Sequence, residues 1–402
     1  MLRAMNDRAA LELLVSQGPL TRSRIGQLTG LSKPTASQLL ARLTAAGLVR
    51  TTGSVTGRPG PSAQLYEINP AAARVAALAV DGRGVTAAVA DITGRLLGEE
   101  RVGTEAVGSA AVGKEVVRTE AAGSEAVGTG APQRMARLAA RALDGALAKA
   151  GLGRDRVHGA VIGTPGALDP RTGRLRGAPH LPGLPSDGLK EELAEALGMP
   201  LTLENDVNLA AVAEQYDGAA RGVDDFVLVW VDEGIGAALV LGGRLLRGAT
   251  GGAGEIGYLP LPGAPLSRGG DRSAARPDAG GGFQRLVGAP SVRALGRELG
   301  GPEVRTVAGA LTHDAVRAEV ARRLATGLAA VAAVVDPGLV VLSGAVPQAG
   351  GEALRALVEA EFTGLALPRP ALRLSRVDGN PILLGALRTA LAQARGAVFH
   401  TG

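Results

Sequence analysis

The 402-residue chain contains no cysteine, which excludes disulfides, thiol chemistry and every cysteine-based zinc site. Its first residues, MLRAMNDRAA, lack the apolar core of a secretory signal. Long apolar runs are missing too. The richest, LAAVAAVVDPGLVVLSGAV, is broken at Asp336-Pro337 and is too short on either side to span a bilayer. A cytoplasmic protein without a membrane partner is expected. The length admits two or three domains and a large core.

Charge is unevenly spread. Residues 1–70 hold eight Lys and Arg against three Asp and Glu, so they carry the whole formal net charge of +5. That excess points to a polyanion partner for this end of the chain alone. The same stretch reads as three short helices. Leu11, Leu14 and Val15 give the first an apolar side; Thr21 caps the second, which stops at Gly30; Ser32 caps the third, SKPTASQLLARLTAA, which Gly47 closes. In the third helix Ala36, Leu39, Leu40 and Leu43 form the apolar face, while Thr35, Gln38 and Arg42 project from the other side. Two strands, LVRTT and AQLYEI, follow around a turn-rich tip. Three helices and a β-hairpin make a winged helix-turn-helix over 1–70. Ser32, Lys33, Thr35, Ser37, Gln38 and Arg42 are the candidate phosphate and base contacts of its recognition helix, and Arg58 at the wing tip suits the minor groove. The partner implied is double-stranded DNA.

From residue 71 onward strands alternate with helices in two halves, which indicates α/β architecture with a central sheet in each. The halves divide near 205–215. A Gly-rich tract with recurring TEAVGS-like segments suggests a low-complexity insertion at 99–132.

Six ordered segments carry a more specific signal: VDGRGVTAAVADITG, GTPGALDPRTGRLRGAPHLPG, LTLENDVNLAAVAE, DEGIGAALVLGGRLLRGATGGAGEIGYLPL, DPGLVVLSGAV and NPILLGAL. In order, they resemble the blocks of the ROK family, which joins bacterial sugar kinases with sugar-responsive repressors. The resemblance implies an actin-like (ribonuclease H-like) two-lobed domain over 71–402. It also implies sugar-hydroxyl ligands at Asn205, Asp206 and Glu255, with the family's aspartate acting as base. Asp206 could equally cap the helix that follows it. The family's zinc-binding histidine is Tyr258 here, a residue that can contact sugar or simply fill space. His180 stands where the family often has an asparagine, and could be a ligand or a solvated loop side chain. The cysteine-rich metal loop is replaced altogether, so neither metal nor cofactor is expected.

The nucleotide side departs further from the family pattern. The first phosphate turn reads Asp81-Gly82-Arg83-Gly84-Val85, and the second carries Asp232 and Glu233 in place of a glycine and a threonine. One carboxylate about 4 Å from a phosphate oxygen costs roughly 4 kcal/mol at an effective dielectric near 20, on the order of a thousandfold in binding. On that reasoning ATP use is lost, no residue is catalytic and the protein is not an enzyme. The function expected is a repressor of carbohydrate-related genes, a homodimer or homotetramer on a palindromic operator, its DNA affinity modulated by a sugar effector. The alternative is an ATP-dependent sugar kinase with a fused DNA-binding domain.

Overall fold

The computed structural model describes residues 2–55, 63–104, 131–169, 171–173, 175–176, 188–266 and 281–399. Its head opens with α1 (Leu2–Gln17), β1 (Leu20–Thr21), α2 (Arg22–Thr29) and α3 (Lys33–Ala45). The caps fall where the sequence puts them. Thr21 accepts from the Arg24 N–H and Ser32 from the Thr35 N–H, while Gly30 and Gly47 take the left-handed conformation that ends each helix. Leu39, Leu40 and Leu43 are buried against Leu11, Leu14 and Ile25, and Ala36 is buried too. The strands β2 (Val49–Val55) and β3 (Ala63–Ile68) form the wing, and β1 adds a third strand to it along β3.

The first lobe holds β4 (Arg74–Asp81), β5 (Gly84–Asp91), β6 (Leu96–Gly103), α4 (Ala131–Ala150), β7 (Ala160–Thr164), β8 (Ala167–Leu168), β9 (Leu175–Arg176), α5 (Leu189–Leu197) and β10 (Leu201–Asn205). Its sheet runs β10-β7-β4-β5-β6, antiparallel among β4, β5 and β6 and parallel among β4, β7 and β10. The tract expected at 99–132 starts inside β6 and ends inside α4. Cross-strand pairing with β5 holds Glu99 to Gly103 in the sheet, and 105–130 lies outside the described residues.

α6 (Asp206–Asp217) leads into the second lobe, which comprises β11 (Phe226–Val231), β12 (Ile235–Leu241), β13 (Arg244–Leu246), α7 (Gln284–Val287), α8 (Ala289–Leu299), α9 (Val307–Leu311), α10 (Asp314–Val335), β14 (Leu339–Ser343), α11 (Ala345–Leu365) and β15 (Ala371–Leu374), with α12 (Pro381–Val398) after it. Its sheet, β13-β12-β11-β14-β15, repeats the first: three antiparallel strands continued by two parallel ones. A duplicated sheet of this order is the two-lobed actin-like (ribonuclease H-like) arrangement. Although it follows the second lobe in the chain, α12 belongs by its packing to the first lobe, where it lies against β4 and directly on α6. An added Cβ at Gly385 would lie 1.8 Å from the Leu209 carbonyl oxygen, so backbone meets backbone there. One apolar cluster runs from Ala10, Leu14 and Ile68 of the head through Ala73 and Val75 to Leu383, Leu391 and Phe399. No helix among the described residues is long and apolar enough to cross a membrane.

Candidate functional site

On the head, the exposed side of α3 presents Lys33, Thr35 and Gln38. Several of its neighbours already have partners within the domain. Arg42 reaches back to Asp7 of α1 at 2.6 Å, and the Asp7 side chain is only 8% exposed. A buried carboxylate needs a counter-charge, and Arg42, itself partly exposed, supplies it. Ser32 and Thr35 bond each other at 2.8 Å while capping the helix, and Ser37 accepts from Arg22 at 3.0 Å. That contact brings Arg22, a cation the sequence reading passed over, to the recognition helix. Its position fifteen residues upstream gave no periodic signal. Arg58 lies outside the described residues.

Between the lobes, β10 ends at Asn205 and α6 begins at Asp206. Asn205, rather than Asp206, is the N-cap: its Oδ1 accepts from the Asn208 N–H at 3.0 Å, and its Nδ2 donates to the Gly166 carbonyl at 3.0 Å. Asp206 Oδ1 accepts from the adjacent Val207 N–H at 2.8 Å. Removal from water pushes the Asp206 carboxyl up to about 6, against its own backbone hydrogen bonds, and the anion of Asp232 adds to the rise. Desolvation therefore outweighs the favourable helix N-terminus.

Three segments meet at this point. A Cβ on Gly236, at the start of β12, would touch Val207 at 3.2 Å, so the turn 232–236 abuts the first turn of α6. Gly254 packs on β12, its left-handed backbone leaving 1.8 Å between an added Cβ and the Ala237 carbonyl oxygen; the Ala237 N–H donates to the Gly254 carbonyl at 2.8 Å. Glu255 follows at once and opens a short 3-10 turn over Ile256–Tyr258. Glu255 and Tyr258 are exposed, the tyrosine residue by 40%, so Tyr258 does not fill a void in the described core. A cavity of about 260 Å³ lies between β8, β10 and the segment after β13. Asn205 lines it; Asp206, Glu255 and Tyr258 do not. His180 and residues 267–280 lie outside the described residues.

The acidic phosphate turns are not bare charges. Asp81 is held by Arg101, whose Nη2 lies 2.9 Å from Oδ2. Glu233 is held by Arg293 of α8 through two contacts, at 2.7 and 3.1 Å. Each carboxylate sits in an ion pair that lies partly in solvent, so its field at a neighbouring phosphate is far weaker than that of an isolated charge.

A model described as the ROK family matches residues 134–371. The chain belongs to the ROK family. A MarR-family model matches residues 6–58 of the head. A crystal structure of a ROK hexokinase from Thermus thermophilus is similar at 30% identity and a TM-score of 0.61, covering 80% of this chain and 99% of that one. A ROK transcriptional regulator, titled a homologue of the E. coli MLC protein, superposes over 100% of both chains with a TM-score of 0.72; at 19% identity this is a likeness of fold. A glucokinase from Halalkalibacterium halodurans is 29% identical over 247 residues, 58% of this chain and 74% of its own length. The chain spans only 37% of a Clostridium perfringens relative that is 35% identical over 108 residues. These comparisons overturn the expectation that this ROK chain is not an enzyme. Relatives at 29–35% identity are named sugar kinases, and the pairing of Glu233 with Arg293 weakens the electrostatic ground for the opposite view.

Proposed function

We propose that this ROK protein is an ATP-dependent sugar kinase fused to a DNA-binding head, with one cleft serving catalysis and sugar sensing. The observation that carries this reading is the Asp206 carboxyl, largely withdrawn from water where α6 meets the 232–236 turn, with its pKa pushed up to about 6. A base of that strength is ionised at neutral pH yet accepts a proton readily. In the reaction proposed, the sugar hydroxyl gives its proton to Asp206. Its oxygen bonds to the γ-phosphorus, and the bond from that phosphorus to the β-phosphate oxygen breaks to leave ADP. Asn205 and Glu255 orient the sugar, and the turns at 81–85 and 232–236 face the phosphates. A coupled ADP-release assay over a hexose panel tests the reading. Turnover above background is expected for at least one hexose, and none for any of them would overturn it.

Two results should accompany that turnover. The deprotonated base is required, so kcat/KM falls as pH drops through about 6; Asp232→Asn removes the neighbouring anion and moves this limb to lower pH. Glu233→Thr releases Arg293 toward the phosphates and lowers the KM for ATP by about tenfold, the effect of roughly 1.4 kcal/mol.

The head supports a regulatory role for the same molecule: a repressor, dimeric or tetrameric, that binds a two-fold operator and releases it when sugar occupies the cleft. On operator DNA recovered by pull-down, Lys33→Ala and Arg22→Ala should each reduce the salt slope of binding by about one. Arg42→Met should leave the slope unchanged and lower the melting temperature, because its partner is Asp7.

A further inference from the structure

Glu204 is a buried carboxylate at the end of β10, its side chain 9% exposed, and both its oxygens are in use. Oε1 accepts from the Asn205 N–H and from Asn208 Nδ2, each at 2.9 Å. Oε2 faces Arg247, with Nε at 2.8 Å and Nη2 at 2.7 Å. Arg247 belongs to the other lobe, on the segment after β13 that leads to Glu255. The same segment touches the first lobe once more. Gly251 adopts a φ of +77°, and an added Cβ would sit 1.9 Å from the Leu168 carbonyl oxygen. Beyond it, Gly254 is pinned to β12 of its own lobe.

We propose that Arg247 is a positioning residue: through Glu204 it fixes the Asn205 amide and the first turn of α6 to the segment that carries Glu255. The inference rests on the reading of the cleft as a sugar site, because Asn205 and Glu255 are its ligands from opposite lobes. The physical argument is local. A carboxylate this deeply buried demands a counter-charge, and the Arg247 guanidinium supplies it at one oxygen, Nε and Nη2 both closing on Oε2. The remaining oxygen of Glu204 then accepts from Asn205 and Asn208, while the Asn205 side chain bonds Asn208 and Gly166. The Asn205 backbone donor and both ends of its side chain are therefore anchored, which leaves the second Nδ2 hydrogen and the second Oδ1 lone pair for a ligand. The orientation of Asn205 is set across the lobe boundary by a residue forty-two positions later. Arg247 itself is half exposed, so the pair sits where solvent and lobe movement can reach it.

Amide hydrogen exchange on the full-length protein, without sugar or nucleotide, tests the tie. The Asn205 and Asn208 amides donate to Glu204 and Asn205 respectively. In Arg247→Met their exchange should quicken by about tenfold together with residues 249–255, and Arg247→Lys should restore part of the protection. Arg247→Met alone leaves Glu204 buried without its partner, so the double variant E204Q/R247M is measured beside it. Exchange at Asn208 should remain fast there while the melting temperature returns toward that of the unaltered protein. Faster exchange confined to 244–254, with 205 and 208 unchanged in both variants, would overturn the proposal. A titration of the unaltered protein with D-glucose, mannose and N-acetylglucosamine runs in parallel. If none binds while the exchange response holds, the tie stands and the sugar reading falls.

Discussion

Asp206→Asn is expected to lower sugar phosphorylation by about a thousandfold, the usual scale for losing a positioned general base, with the fold intact. The amide keeps the Oδ1 acceptor for the Val207 N–H and loses only the ability to take a proton. The same substitution should stabilise the protein at alkaline pH. A folded-state pKa raised to about 6 means that ionised Asp206 opposes folding, since the native chain holds the proton more tightly than the unfolded chain. That penalty is absent below the unfolded pKa and complete above about 6. The variant should therefore melt higher than the parent at pH 8 and at the same temperature near pH 3. Thermal scans at the two pH values, beside the kinase assay, check both halves of the expectation. A variant that loses activity and also melts lower at pH 8 would mean that Asp206 is structural.

Gly385→Ala is the second large effect, and it acts on folding. The α6–α12 contact leaves 1.8 Å between an added Cβ and the Leu209 carbonyl oxygen, and further Leu209 backbone atoms lie within 3.0 Å. Neither side can yield by rotating a side chain, because both are helix backbone. Forcing the helices apart would uncover Leu383, Ala386 and Ala390 of α12 along with Leu209, at a cost of about 3–4 kcal/mol. Denaturant melts should show the loss as a lower midpoint. Because α6 carries Asp206 at its first position, whatever folded protein remains should also turn over more slowly. Gly364→Ala, where an added Cβ meets nothing within 4 Å, is the control and should change neither property.

What could be read from the sequence divides along a physical line. The caps at Thr21 and Ser32, the buried face of α3, the αL glycines and the ENDVN junction are local features, set by side chains within four residues of one another. All of these reappear in the structure. The partners of charged residues are a different matter. Arg42 finds Asp7, Arg101 finds Asp81, Arg247 finds Glu204 and Arg293 finds Glu233 across 20 to 60 positions. No periodicity links such residues, and each pairing changes what the acid or base can do. Treating Asp232 and Glu233 as isolated anions led to the expectation of a dead phosphate site. With Arg293 in place Glu233 is half of a near-neutral pair. The N-cap went astray by one position for a related reason, since Asn205 and Asp206 are both good capping residues and only the strand's exit angle chooses between them.

The apolar seam that continues from the head through Ala73 and Val75 to Phe399 makes the winged-helix end a grafted limb, without the loose joint of a bead on a string. Severing the chain near residue 70 would leave both pieces with a greasy scar, so each fragment should need detergent or clump in its absence. The same seam gives any tilt of the C-terminal helix a lever arm on the wing.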